Sequence, residues 1–306
     1  MAVYKQNTAE VSSLQRPDIA LVTHSRIDPT MKHSSVWKRL AEGFAEFFKR
    51  FPLLLYLIFS IIENYNDIEE YIGKVEEALK KNPRALVLPL TPKQGNLERK
   101  LLNLLKKYEG VIIAVNVPPD EIAMQELNGI LRGYVGMNEV EAGRKAAIRL
   151  FYSGRKFECI YVPSDKPEHY GYSLRIKGIK EIAEIYGIPV CEVDITNAKR
   201  AKVICQLMGY SAFISLGPVG TSFAIEAQEK YHEKVCGIIA MDLDQKTAEA
   251  IKSQKVICTL IQHPREQGAK AAELAMKILN GTITSAFSEI YCGPTIVDLN
   301  NISVFE

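Results

Sequence analysis

"GVIIAVNVPPDEIAMQELNGILRGYVGM", residues 110–137, is the stretch on which the fold turns. An apolar run rich in β-branched residues fills 110–116 and stops at Asn116 and a Pro-Pro-Asp turn; a second apolar run fills 131–137. Neither run alternates apolar with polar side chains. Strands of that kind are buried on both faces, the condition of a parallel sheet covered by helices. Outward from this stretch the pattern recurs, with runs at 18–24, 55–62 and 84–90 before it and at 158–163, 190–195, 212–217, 236–243 and 256–262 after it. Amphipathic stretches of helical period lie between them, such as "NDIEEYIGKVEEALKK" (66–81) and "YSLRIKGIKEIAEIYG" (172–187), the second stopped by Gly187. So many strands exceed what one small open sheet holds, and the expectation is α/β architecture with two doubly wound parallel-sheet lobes. "NGILRGYVGMNEVEAG" (128–143) is the expected crossing from one to the other. No Gly-, Ser- or Pro-rich linker separates the halves, so the lobes are expected to be joined by direct strand crossings acting as a hinge. Residues 1–135 and 138–280 both read as β/α series, without a sequence-level repeat.

The chain has 306 residues, 47% of them apolar, enough for two ordinary domains. Lys plus Arg (38) and Asp plus Glu (36) nearly cancel, and a net charge of +2 carries no footprint for nucleic acid. Cysteines 159, 191, 205, 236, 258 and 292 form no C-x-x-C pair and have no histidine cluster beside them, so no metal site is expected. Most of them read as buried free thiols. The run "FPLLLYLIFSII" (51–62) is too short to cross a bilayer of roughly 30 Å as a helix and reads as a buried strand. Residues 1–17 lack the basic start and apolar stretch of a signal peptide. The expectation is either a cytoplasmic chain or an exported one whose signal is absent from this sequence.

Ligands of open α/β sheets bind beyond the carboxyl ends of the strands. The loops there are "THSRIDPTMKHSSVW" (23–37), "LTPKQG" (90–95), "NVPPD" (116–120), "PSDKPEHYGYSLR" (163–175), "GPVGTSF" (217–223), "DLDQ" (242–245) and "QHPREQG" (262–268). Pooled, they offer an indole, guanidinium groups, carboxylates, amides and histidine. A sugar presents apolar C–H faces and a rim of hydroxyls that both donate and accept, so this inventory suits it. Enzyme signatures are missing: there is no dinucleotide or phosphate-loop glycine motif, no nucleophile elbow and no H-E-x-x-H. "GPVGTS" is the one loop resembling a phosphate cradle, and it lacks the lysine.

Four segments resemble a known family. "VTHSRIDPTMKHSSVWKRLAEGF" (22–44) is similar to its first loop and helix, with Trp37 six residues before Gly43. "YVGMNEVEAGRKAA" (134–147) resembles its crossing segment, which has Asp or Asn at the position of Asn138 and glycine at Gly143. "PEHYGYSLRIKGIKE" (167–181) resembles the opening of its second lobe, with Arg175 three residues before Gly178. "GIIAMDLDQKTAEAIKSQKVICTLIQHPREQG" (237–268) is similar to a signature in which an aspartate ends one strand and a glutamine the next. The family is the type I periplasmic binding proteins, specifically the ribose-binding-protein-like sugar receptors of ABC importers.

The resemblance implies an N-terminal lobe of residues 1–136 plus 263–290 and a C-terminal lobe of 137–262 plus 291–306. It implies that Trp37 stacks on a sugar ring, that Asn116 bonds hydroxyls from the first lobe, that Arg175 and Asp242 clamp the ligand from the second lobe and that Gln262 reaches in from the hinge. Asn138, His169 and Asp28 are further implied contacts. Asn116 and Val117 stand where the ribose branch has aspartate and arginine, so the ligand is not restricted to ribose. The implied partners are a small neutral carbohydrate and an ABC transporter permease, with a lipid anchor or membrane association through the permease. A monomer in the periplasm or on the outer face of a membrane is implied, with no cofactor and no catalysis.

Each residue also has a plainer reading. Trp37 belongs to an apolar stripe with Leu40, Phe44 and Phe48 that would serve core packing alone. Arg175 reads as a solvated charge in a helix's first turn, and Asp242 as the cap of the next helix. Asn116 and Gln262 end apolar strands, where a hydrogen-bond partner is obligatory whether ligand or protein. His24, His33, His232 and His263 read as structural or exposed, and "GNLERKLLNLLKKY" (95–108) as a solvated sheet-covering helix. The rival function is the effector-binding core of a lactose-repressor-type regulator, which needs a helix-turn-helix ahead of the first strand. Only residues 1–17 precede that strand, and "EIYCGPTIVDLNNI" (289–302) resembles the receptors' tail more than the repressors'. A nucleotide-dependent enzyme is the third class.

Overall fold

All the apolar runs form strands: β1 (Ile19–His24), β2 (Tyr56–Ile61), β3 (Ala85–Leu88), β4 (Val111–Asn116), β5 (Leu131–Gly136), β6 (Cys159–Ser164), β7 (Val190–Asp194), β8 (Ser211–Ile214), β9 (Val235–Met241) and β10 (Cys258–Ile261). This computed structural model describes residues 18–24, 36–51, 56–61, 68–90, 96–166, 168–199, 201–202 and 209–305. Two further strands, β11 (Ser288–Tyr291) and β12 (Thr295–Asp298), were not expected from apolar runs. Both lie at sheet edges and most of their residues are partly exposed. An edge strand needs no continuous apolar run because only part of it meets a core.

Two six-stranded sheets result, ordered β11-β5-β4-β3-β1-β2 and β12-β10-β9-β8-β6-β7. The orders correspond strand for strand, so the halves share a topology that their sequences do not display as a repeat. β1 pairs with β2 and β3 in parallel, β6 with β7 and β8 in parallel, and β12 runs antiparallel to β10. The chain divides into two compact units, residues 1–115, 119–135 and 265–290 in one, and 116–118, 136–264 and 291–306 in the other.

Among the described residues the helices are α1 (Val36–Lys49), α2 (Ile68–Lys80), α3 (Asn96–Leu105), α4 (Glu121–Glu126), α5 (Glu139–Phe151), α6 (Tyr170–Ile185), α7 (Pro218–Lys230), α8 (Gln245–Lys252) and α9 (Pro264–Leu279). In the first unit α3 buries Leu101, Leu102 and Leu105 against Leu86, Ile112 and Ala114, as a sheet-covering helix does. In the second unit strict alternation splits the core between the two sheet faces. Ala212, Ile214, Ile239 and Met241 join one cluster, and Phe213, Ile238 and Ala240 the other. The expected stop of α6 is realised: Gly187 has φ 65° and donates its N–H to the Glu184 carbonyl at 3.0 Å.

One packing device occurs in both units. A Cβ built on Gly143 would overlap the Arg175 carbonyl, and one on Gly178 would overlap the Val140 carbonyl, so α5 and α6 cross backbone to backbone. In the first unit Gly43 meets the Arg265 carbonyl and Gly268 the Leu40 carbonyl, joining α1 to α9 in the same way.

Candidate functional site

The end of β4 and the residue after β9 adopt the same unusual backbone: Asn116 and Asp242 both have φ 67°. A left-handed conformation costs a non-glycine residue on the order of 1–2 kcal/mol, least for Asn and Asp. Such strain persists where surrounding structure enforces it, often at ligand sites. Gln262, just past β10, joins the two. Asn116 Nδ2 donates to Gln262 Oε1 at 2.8 Å, and Gln262 Nε2 donates to Asp242 Oδ1 at 2.8 Å. The direction of each bond fixes the orientation of the Gln262 amide. Asn116 and Gln262 are both buried, which meets the requirement that polar groups ending apolar strands be paired.

Asp242 does not cap α8. Asp244 does, its Oδ1 accepting from the Thr247 N–H at 2.7 Å. The Asp242 backbone is instead held by its neighbour strand: its N–H donates to the Leu260 carbonyl at 2.9 Å, and its carbonyl accepts from Thr259 Oγ1 at 2.6 Å.

Arg175 is not a solvated helix-face charge. Helix α6 begins at Tyr170, earlier than its sequence pattern indicated, so Arg175 stands in the second turn and not the first, and it is only 4% exposed. Its guanidinium forks onto a buried carboxylate, Nε to Glu139 Oε2 at 2.5 Å and Nη2 to Glu139 Oε1 at 3.2 Å, while Nη1 donates to the Leu216 carbonyl at 2.5 Å. The Tyr172 ring lies against it, 5.3 Å from ring centroid to guanidinium carbon. Burial pushes the Glu139 carboxyl above its ordinary value of 4.5; Arg175 opposes that rise and Asp242 adds to it. Burial likewise opposes the charge of Arg175, but the Glu139 carboxylate outweighs it and holds the guanidinium pKa above its ordinary value.

His169 and Asn138 both act as helix caps. His169 Nδ1 accepts from the Tyr172 N–H at 3.3 Å at the start of α6, and Asn138 Oδ1 accepts from the Glu141 N–H at 3.0 Å at the start of α5. The His169 ring lies 4.6 Å from that of Tyr172. A Cβ on Gly171 would meet His169 Cε1 at 3.1 Å and Glu139 Oε1 at 3.3 Å, so the glycine lets the His169 cap and the buried carboxylate converge. Asn116, Asn138, His169, Arg175, Asp242 and Gln262 all belong to the second unit. Trp37 belongs to the first, where it lies on the buried face of α1 with Leu40, Phe44 and Phe48, at 7% exposure. Asp28 lies outside the described residues.

Residues 29–283 match the family described as the periplasmic binding protein domain. The chain belongs to that family. Solved structures similar to this periplasmic binding protein agree in fold. A glucose-galactose binding protein, GanP, from Geobacillus stearothermophilus has a TM-score of 0.76 at 14% identity, covering 94% of this chain and 99% of that one. An ABC transporter periplasmic solute binding protein from Actinobacillus succinogenes 130z, solved with D-allose, has a TM-score of 0.72 at 19% identity, covering 94% and 99%. A putative LacI transcriptional regulator from Bacteroides fragilis has a TM-score of 0.73 at 12% identity, covering 95% and 100%. No curated protein matches the sequence.

Sequence reading passed over two residues of this cluster, Glu139 and Tyr172. Glu139 looks like an ordinary acidic residue in a helix's first turn. The available signal is its register: Glu139, Ala142, Gly143, Ala146 and Leu150 share the buried face of α5, so a carboxylate stands on an otherwise apolar stripe. The weak phosphate-cradle candidate is occupied internally. Ser215 Oγ and Thr221 Oγ1 bond each other at 2.6 Å, Gly217 abuts the Tyr172 hydroxyl, and Leu216 gives its carbonyl to Arg175. Among the described residues no group of three or more His, Cys, Asp or Glu could hold a metal ion, and no helix is long and apolar enough to cross a membrane.

Proposed function

We propose that this periplasmic binding protein captures a small neutral sugar between its two lobes and delivers it to the permease of an ABC transporter. The observation that carries the reading is a pair of hydrogen-bonded groups in the second unit, the Asn116–Gln262–Asp242 chain at the carboxyl ends of strands and the Arg175–Glu139 fork on the helices α6 and α5. Groups of mixed donor and acceptor character suit hydroxyls, which need both. Similar proteins are described as binding glucose and galactose, D-allose, arabinose or myo-inositol, all polyhydroxylated and uncharged. Asn116, Arg175, Asp242 and Gln262 contact the ligand in this reading, with Asn138 and His169 at its edge, Trp37 stacking on the ring and Asp28 as an outer contact. The lobes are residues 1–136 with 263–290 and 137–262 with 291–306. The protein performs no chemistry. Ligand contacts made only in the closed form shift the open-closed equilibrium, and the closed shape is what a permease reads. It works outside the cytoplasmic membrane, held near it by the permease or by a lipid anchor.

Isothermal titration against pentoses, hexoses, sugar alcohols and small disaccharides tests the reading. Micromolar binding of at least one neutral member is expected, and nothing tighter than millimolar across the panel overturns it. The likeness to the Bacteroides fragilis protein favours a second reading, the effector-binding core of a transcription regulator. Reconstituting the sugar-loaded chain with the permease separates the two, since stimulated transport belongs to the first alone.

A further inference from the structure

Arg175 is the cation of the cluster, and its charge is already answered. Glu139 takes two of its nitrogens in a fork, the Leu216 carbonyl takes the third, and the Glu139 carboxylate is itself buried, so bulk water does not screen the pair. Asp242 is a second carboxylate of the proposed site, its Oδ1 accepting from Gln262 Nε2 at 2.8 Å. The Arg175–Glu139 pair therefore offers a ligand no net positive charge. A carboxylate or phosphate on an incoming sugar would meet Asp242 while the guanidinium remained engaged with Glu139. A neutral hydroxyl pays no such penalty, because it can turn its proton towards either partner. In a poorly solvated site one uncompensated unit charge at about 6 Å alters affinity by about 100-fold.

We infer that Glu139 is a specificity-determining residue, which cancels the charge of Arg175 and so excludes anionic sugars from the site. The inference rests on the carbohydrate reading. It assigns to Glu139 a role in selection, whereas a purely structural ion pair would influence folding and leave discrimination by charge untouched. Replacing Glu139 by Gln retains an acceptor for Arg175 and removes the negative charge, so that its fork partner no longer cancels the guanidinium charge.

The test is titration of the wild type and Glu139→Gln with D-glucose, D-galactose, D-ribose, D-arabinose and myo-inositol, each beside its uronate or monophosphate counterpart. The wild type is expected to bind its best neutral sugar about 100-fold tighter than the anionic counterpart, and Glu139→Gln to reduce that ratio at least tenfold. Equal wild-type affinity for the two members of a pair overturns the inference whether or not the variant folds. A folded variant whose ratio is unchanged, while it still binds the neutral sugar, overturns the inference and leaves the carbohydrate reading standing. A wild type that binds no member of the panel overturns the carbohydrate reading and the inference with it.

Discussion

Gly143 and Arg175 meet backbone to backbone, the Arg175 carbonyl occupying the space that a side chain on Gly143 would fill. Gly178 does the same for Val140, so two contacts set the crossing of α5 and α6 and with it the seat of the Glu139–Arg175 fork. Gly143→Ala is expected to push the helices apart at a cost of about 1–3 kcal/mol, measured by urea unfolding, and to weaken sugar binding. Gly268→Ala, at the matching crossing of α1 and α9, should lower stability by a similar amount with Arg175 and Glu139 undisturbed.

The fork itself is a buried ion pair, with side-chain exposures of 5% for Arg175 and 2% for Glu139. Arg175→Met leaves Glu139 without its counter-charge and is expected to destabilise the second unit by about 3–5 kcal/mol. The double variant Glu139→Leu with Arg175→Met should recover most of that loss. Thermal unfolding of the three variants side by side checks the cycle, and strict additivity would argue against coupling.

Gln262 is placed to orient its neighbours. Gln262→Leu removes the acceptor of Asn116, a buried contact with a deletion cost of about 1–3 kcal/mol, together with the half-buried donor to Asp242. The expected result is lower stability in urea and at least a tenfold loss of sugar affinity by titration. Gln262→Glu should be worse for binding, because it sets a carboxylate against Asp242.

Stability should fall as pH rises above the ordinary carboxylate value. Burial raises the Glu139 pKa in the folded chain above 4.5, so the folded protein binds its proton more tightly than the unfolded one does. The contribution is fully present below 4.5 and is lost as pH climbs through the raised folded value. Urea unfolding of wild type and Glu139→Gln across this range is expected to show the wild type losing stability relative to the variant with increasing pH. A constant difference would contradict the buried carboxyl as the titrating group.

Thiol reactivity provides an independent check on the second sheet. Burial pushes Cys258 up to about 12 and Cys159 to about 11, whereas Cys191 is exposed on the edge strand β7. Alkylation at pH 8 followed by peptide mapping should label Cys191 first and Cys258 only after unfolding.

Ten strands and their parallel character were legible because a strand buried on both faces must be apolar at every position, and composition alone reveals that. β11 and β12 were not, since half-exposed edge strands carry no such run. The glycines at 43, 143, 178 and 268 were visible as letters, yet which carbonyl each one admits is a fact of packing. Asp242 read as the cap of the next helix, and only the hydrogen bond from Thr247 shows that Asp244 takes that place. Arg175 looked solvated because one sequence does not announce its counter-ion: Glu139 lies far away along the chain and on a different helix.

The residues alone thus determined a two-sheet α/β chain with polar side chains at the strand ends, since burial is a local property that each segment records in its own composition. Only tertiary structure decided that Asn116, Gln262 and Asp242 form one hydrogen-bonded chain and that Arg175 spends its charge on Glu139. Hydrogen bonds and ion pairs are short-ranged and directional, so their partners are chosen by the register of strands and helices brought together from distant parts of the sequence.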